Sequence, residues 1–193
     1  MTSPVAATSF SLYTDGSAQP NPGPCGCGAV MIDAKGEIQW TLSEFLGEGT
    51  NNIGELFAIL RGITRAMEMG IQHLKVYSDS ELSVMLLKGE KQTKKEHLLY
   101  LVERIQKAII KKPSMKVEFA WVKAHVGNKW NEIADQLANN ALPSMNPIFN
   151  STTQNSKTTP SAASAPSTSY ASTPTTSKTY ASAPQVDGPR ILL

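Results

Sequence analysis

The sequence predicts an α/β fold, a five-stranded mixed sheet flanked by helices. Two observations carry that expectation. The first is the order of hydrophobic periodicities over residues 9–142, which reads strand, strand, strand, helix, strand, helix, helix, strand, helix. Three strands joined by short turns meander, whereas strand–helix crossovers return the chain parallel, so the sheet is mixed and helices cover its faces. The second is a change in composition. Apolar, charged and glycine residues mix as in a globular domain up to Leu142, and Ser, Thr, Ala and Pro take over from Pro143. A chain of 193 residues is then one folded domain, residues 9–142. An N-terminal extension, 1–8, precedes it, and a tail expected to be disordered, 143–193, follows.

The elements follow in order. Ser9–Tyr13 alternates as a strand and is expected to stop at Thr14-Asp15-Gly16, ahead of the Pro/Gly-rich turn AQPNPGPCG. Cys27–Ile32 reads as a second strand, Asp33–Gly36 as a hairpin turn and Glu37–Leu46 as a third strand. Thr50-Asn51-Asn52 offers capping side chains to a helix with Leu56, Ile59, Leu60 and Ile63 on one face, and Gly70 supplies its stop. Leu74–Tyr77 is a short strand, and Ser80–Leu87 a helix ended by Gly89. Lys95–Ile110 is an amphipathic helix, with Leu98, Leu101, Val102 and Ile105 on one side. Lys116–Val122 is the last strand, and Asn128–Ala141 the last helix, ended by Pro143.

Charge and cysteine usage narrow the function classes. The formal charge of +2 belongs to the tail, where Lys157, Lys178 and Arg190 stand against Asp187. The globular part is therefore neutral, without the basic excess expected of a nucleic-acid enzyme, unless bound metal neutralises some of its acids. Cys25 and Cys27 are too close in sequence for a mutual disulfide and fit no zinc spacing. Two free thiols suit a reducing compartment, and with no secretory pattern at the N-terminus the expected location is cytoplasmic. No stretch has the apolar length of a membrane span, so no membrane partner is expected.

The tail has no acid between Gln136 and Val186 and almost no large apolar residue after Phe149. Such a segment cannot bury enough surface to offset the entropy of ordering. Its short apolar end, VDGPRILL, reads either as a docking peptide for a protein partner or as an inert terminus.

Four acids stand where charge is costly. Asp15 ends an apolar strand, Asp79 follows Leu74–Tyr77, and Glu55 lies in the first turns of a helix. Asp135 sits between Ile133-Ala134 and Leu137-Ala138. Each alone is ordinary turn or cap chemistry. Together at the ends of parallel strands, where α/β sheets gather their sites, they would repel unless cations are present. Oxygen-only ligands with open positions suit Mg²⁺, with Mn²⁺ able to substitute.

As a set these residues match a family. The stretches YTDGSAQPNPGPCGCGAV, TNNIGELFAI, YSDSELSV and WVKAHVGNKWNEIADQLA, in this order, resemble type 1 ribonuclease H over nearly all of Phe10–Ala141. The resemblance implies a ribonuclease H-like fold and hydrolysis of the RNA strand of RNA·DNA hybrids, leaving 5′-phosphate and 3′-hydroxyl ends. It implies that Asp15, Glu55, Asp79 and Asp135 bind two metal ions. Asp15 would bridge them, Asp135 would serve the attacking water, and Glu55 and Asp79 the leaving 3′-oxygen. His125, in the loop AHVGN, would assist proton movement or product release, while His73 and His97 read as surface residues. Backbone groups near Gly16 and Ser17, with the carboxylate of Glu55, would read ribose hydroxyls, and Thr50, Asn51 and Asn52 would hold a DNA phosphate at a helix N-terminus.

Departures from the family pattern lie at the edges. The region KGEKQTKK stands where some members carry a basic, Trp-containing protrusion, so the chain resembles the short form. Lys88, Lys91, Lys94 and Lys95 then provide a reduced phosphate footprint or simply a solvated face. Glu81 stands where some relatives have Gln, and Ala124 where Gly or Ser is frequent. A monomer is expected, with the hybrid as its partner.

Overall fold

The computed structural model describes residues 9–124 and 127–143. Its strands are β1 (Ser9–Ala18), β2 (Gly23–Ile32), β3 (Ile38–Gly49), β4 (His73–Ser78) and β5 (Lys116–Trp121). Its helices are α1 (Asn51–Glu68), α2 (Glu81–Lys88), α3 (Glu96–Lys111) and α4 (Lys129–Asn140). The sheet order is β3-β2-β1-β4-β5, with β1, β2 and β3 antiparallel and β1, β4 and β5 parallel. Element types and order are those the periodicities predict.

Local chemistry sets the helix ends. Thr50 caps α1 by accepting from the Ile53 N–H, Ser80 caps α2 from the Ser83 N–H, and Asn128 caps α4 from the Trp130 and Asn131 N–H groups. Gly89 ends α2 at φ 74°, a left-handed conformation that glycine adopts without a Cβ penalty. Residues 89–95 connect α2 to α3 with no further element, as the short form requires.

The main core lies between the sheet and α1 and α3. Leu12, Met31, Leu56, Ile59, Ile63, Leu74, Val76, Leu98 and Ile105 are buried there. Each such side chain contributes roughly 1.5–3 kcal/mol by leaving water. A smaller cluster of Val30, Ile32 and Ala134 lies under α4. Cys25 and Cys27 are buried free thiols, and His73 and His97 are exposed.

Strand β3 runs on to Gly49 rather than ending at Leu46, and two further boundaries depart from the sequence reading where they concern the site. β1 does not stop at Thr14-Asp15-Gly16 but continues to Ala18, and β2 starts at Gly23 rather than Cys27. The pairing runs unbroken from Ser11↔Ile32 to Ala18↔Cys25. Glycines in these strands, Gly16 of the expected turn among them, are places where helix backbone touches the sheet. A Cβ on Gly16 would enter the backbone of Gly54 and Glu55, and one on Gly28 would enter the backbone of α4 at Ala134 and Ala138. α1 therefore sits directly on β1, the strand that carries Asp15, and α4 on its neighbour β2.

The parallel register then places the acids. Thr14 pairs with Ser78, the last residue of β4, so Asp15 on β1 and Asp79 just past the end of β4 come next in the chain. α1 brings Glu55 against Gly16, and α4, whose backbone at Ala134 lies over Gly28, carries Asp135.

Candidate active site

Asp15, Glu55 and Asp79 offer one carboxylate oxygen each, and these oxygens lie within 4.8 Å of one another. Asp15 is 7% exposed and Glu55 5%, while Asp79 is half-buried. Among the described residues none of the three, nor Asp135, takes part in an ion pair. Burial, then the charges of Asp79 and Asp135, push Asp15 up to about 7, against hydrogen bonds with Glu55 and the Gly16 backbone. Burial, then Asp15 and Asp79, raise Glu55 well above the usual carboxylate range, although the Ser78 hydroxyl donates to its Oε2 at 3.0 Å. The protein alone thus concentrates negative charge that it does not neutralise.

Around the cluster lies an open cavity of about 400 Å³. Of the residues expected from sequence, Asp15, Gly16, Ser17, Asn51, Asn52, Glu55, Asp79 and Asp135 all line it. Thr50 is the α1 cap, and Asn51 ties the helix to the sheet by accepting the Ala18 N–H at 2.7 Å. That contact separates their tasks, since Thr50 caps and Asn51 anchors. His125 lies outside the described residues, as do both expectations for the tail.

The comparisons with known proteins agree with the geometry. The family model for RNase H matches residues 7–143. The chain belongs to the RNase H family. Ribonuclease H of Syntrophomonas wolfei is 35% identical over 147 residues, covering 69% of this chain and 96% of that one. The crystal structure of RNase H1 from the archaeon Halobacterium salinarum has a TM-score of 0.62 at 27% identity, covering 68% of this chain and 96% of that one. LC11-RNase H1, isolated from compost by a metagenomic approach, has a TM-score of 0.63 at 29% identity in complex with an RNA/DNA hybrid. That match covers 70% of this chain and 97% of the other.

Within this RNase H fold, several contributors were not visible in sequence. Asn131, on α4, donates from Nδ2 to Asp79 Oδ2 at 3.0 Å. The Trp121 indole N–H donates to the Asp79 carbonyl at 3.0 Å, which fixes the backbone on the other side. Gln19, Ser80, Ala124 and Asn139 join the cavity wall. Asn131, Asp135 and Asn139 are spaced four apart, one stripe of α4. The spacing was available in sequence, but asparagines on an amphipathic helix carry no signal that separates them from a solvated face.

Proposed function

We propose that this chain is a metal-dependent endoribonuclease that hydrolyses the RNA strand of RNA·DNA hybrids, using two divalent ions, Mg²⁺ or in its place Mn²⁺. The observation that carries the proposal is the convergence of Asp15, Glu55 and Asp79 with no cationic side chain among the described residues paired to them. An oxygen-only donor set, buried and electrostatically frustrated, fits a hard divalent cation. When bound, the ions supply Lewis acidity toward the scissile phosphate.

The residues have separate tasks. Asp15, which interacts with Glu55, Asp79 and Asp135, would be the ligand common to both ions. Glu55 and Asp79 would serve the leaving-group side, and Ser78 and Asn131 each donate to one of their oxygens. Asp135 serves the water side. Water attacks phosphorus, the bond to the 3′-oxygen breaks, and that oxygen takes a proton, so the ends are 5′-phosphate and 3′-hydroxyl. His125 assists the proton's movement or product release.

Substrate recognition uses the same cavity. Gly16 and Ser17 with Glu55 read ribose hydroxyls, which distinguish RNA from DNA. Thr50, Asn51 and Asn52 present the N-terminal N–H groups of α1 to a DNA phosphate. The hybrid bound to LC11-RNase H1 supports this substrate class. The proposal extends to a cytoplasmic monomer, with the two buried free thiols supporting a reducing compartment.

The test is cleavage of labelled RNA·DNA hybrid, RNA duplex and DNA duplex, each with Mg²⁺, Mn²⁺ or EDTA. Cleavage of the hybrid alone, lost in EDTA, is expected. Full activity in EDTA overturns the metal mechanism, and equal cleavage of all three duplexes overturns the substrate assignment.

A further inference from the structure

The wall of the cavity contains a directional chain of hydrogen bonds. The Ser17 hydroxyl donates to Asn139 Oδ1 at 2.6 Å, and Asn139 Nδ2 donates to Asp135 Oδ1 at 3.1 Å. Gln19 Nε2 donates to the same Asn139 oxygen at 3.3 Å. Both ends of the Asn139 amide are therefore engaged, and its orientation is fixed from both sides. Ser17 lies on β1 two residues beyond Asp15, 122 positions away from Asn139 along the chain. Asn139 lies one helical turn beyond Asp135.

Proton counting gives the chain a direction. A serine hydroxyl has one proton to donate and two lone pairs. The Ser17 proton is committed to Asn139, so Ser17 can meet a ligand only as an acceptor. A ribose 2′-hydroxyl can donate to it, and a deoxyribose carbon cannot. At the other end, one oxygen of Asp135 is held by Asn139, which leaves its second oxygen for an ion. Hydrogen bonds aligned head to tail polarise one another.

We propose that Asn139 is a positioning residue that couples the two ends of the site. A ribose hydroxyl donating to Ser17 strengthens the Ser17–Asn139 bond, and through it the hold on Asp135. The ribonucleotide thereby tunes the carboxylate on the water side. The inference rests on the proposed function, and adds to it a route by which sugar identity reaches the metal site.

The test uses the full chain with Asn139→Ala, Asn139→Leu (close in size, with no hydrogen bond), Ser17→Ala and the Ser17→Ala/Asn139→Ala double variant. Mn²⁺ affinity is measured by calorimetry without substrate, alongside thermal melts and steady-state cleavage of hybrid. Loss of a partner that orients a ligand typically weakens metal binding or activity about 10- to 100-fold. Both Asn139 variants should show such a loss in Mn²⁺ affinity and kcat at a near-unchanged melting temperature. Ser17→Ala should raise KM and also lower kcat, and the double variant should be clearly non-additive in kcat. Unchanged Mn²⁺ affinity in both Asn139 variants, or strict additivity in the cycle, overturns the coupling while the proposed function stands. A wild-type chain that takes up no Mn²⁺ and cuts no hybrid overturns the proposed function itself.

Discussion

The two halves of β1 are built on opposite terms. In the first, Phe10 and Leu12 alternate with Ser11 and Tyr13, and Leu12 is fully buried against the α1 side of the core. In the second, Thr14, Asp15 and Ser17 are buried as well, yet they are polar, and Asp15 is pushed up to about 7. The strand geometry does not change between them, for the pairing with β2 is continuous. Only the backing changes. The first half meets side chains, and the second meets helix backbone across glycines. One half stabilises the fold, while the other uses that stability to hold charge where it is unfavourable.

Substitutions can separate the halves. The largest effect is expected from Asp15→Asn, which should lower hybrid cleavage by several orders of magnitude. It should leave hybrid binding within about tenfold, because phosphate contacts dominate affinity. The same variant should melt higher than wild type in chelator near neutral pH, since a buried charge has been removed. A variant that cuts at the wild-type rate removes Asp15 from the centre of the mechanism.

Leu12→Ala should do the reverse. A cavity in the core costs about 2–5 kcal/mol, while activity per folded molecule stays near wild type. If its kcat falls as far as its stability, the two halves are not separable.

A smaller effect is expected from pH. An unfolded Asp titrates near 4, and Asp15 in the fold is raised to about 7. Between those values the folded state binds more protons than the unfolded, so stability falls as pH rises from about 4 to about 7. In chelator the melting temperature should decline across that window, and Mg²⁺ should counter the decline by binding only the fold. A flat profile in chelator would show that Asp15 is not under charge strain. The smallest effect belongs to truncation after Asn150, which should leave the melting temperature within a few degrees and cleavage of short hybrids unchanged. Loss of folding would place tail residues within the domain.

How legible the site was depended on the kind of interaction. Hydrophobic period gave every element, because Leu56, Ile59 and Ile63, or Leu98, Leu101 and Ile105, repeat locally. The acids were legible because Asp15 and Asp79 follow apolar strands. The extent of β1 and β2 was not, since Gly16 and Gly26 signal a turn locally and a helix contact only in three dimensions. Asn131 and Asn139 were missed for a similar reason. Their partners, Asp79 and Ser17, lie 52 and 122 residues away, and no local pattern encodes a bond of that span.

The contact of Gly54 with Gly16 has a consequence for tolerance. With no side chain as a spacer, the separation between the segments carrying Asp15 and Glu55 is fixed by the thickness of two polypeptide backbones, a length common to all proteins. Swapping one aliphatic residue for another elsewhere beneath α1 can tilt or slide the far end of that helix, but it cannot thicken this joint. Glycine here acts as a mechanical stop, and the spacing of the two carboxylates is insulated from drift in the rest of the interior.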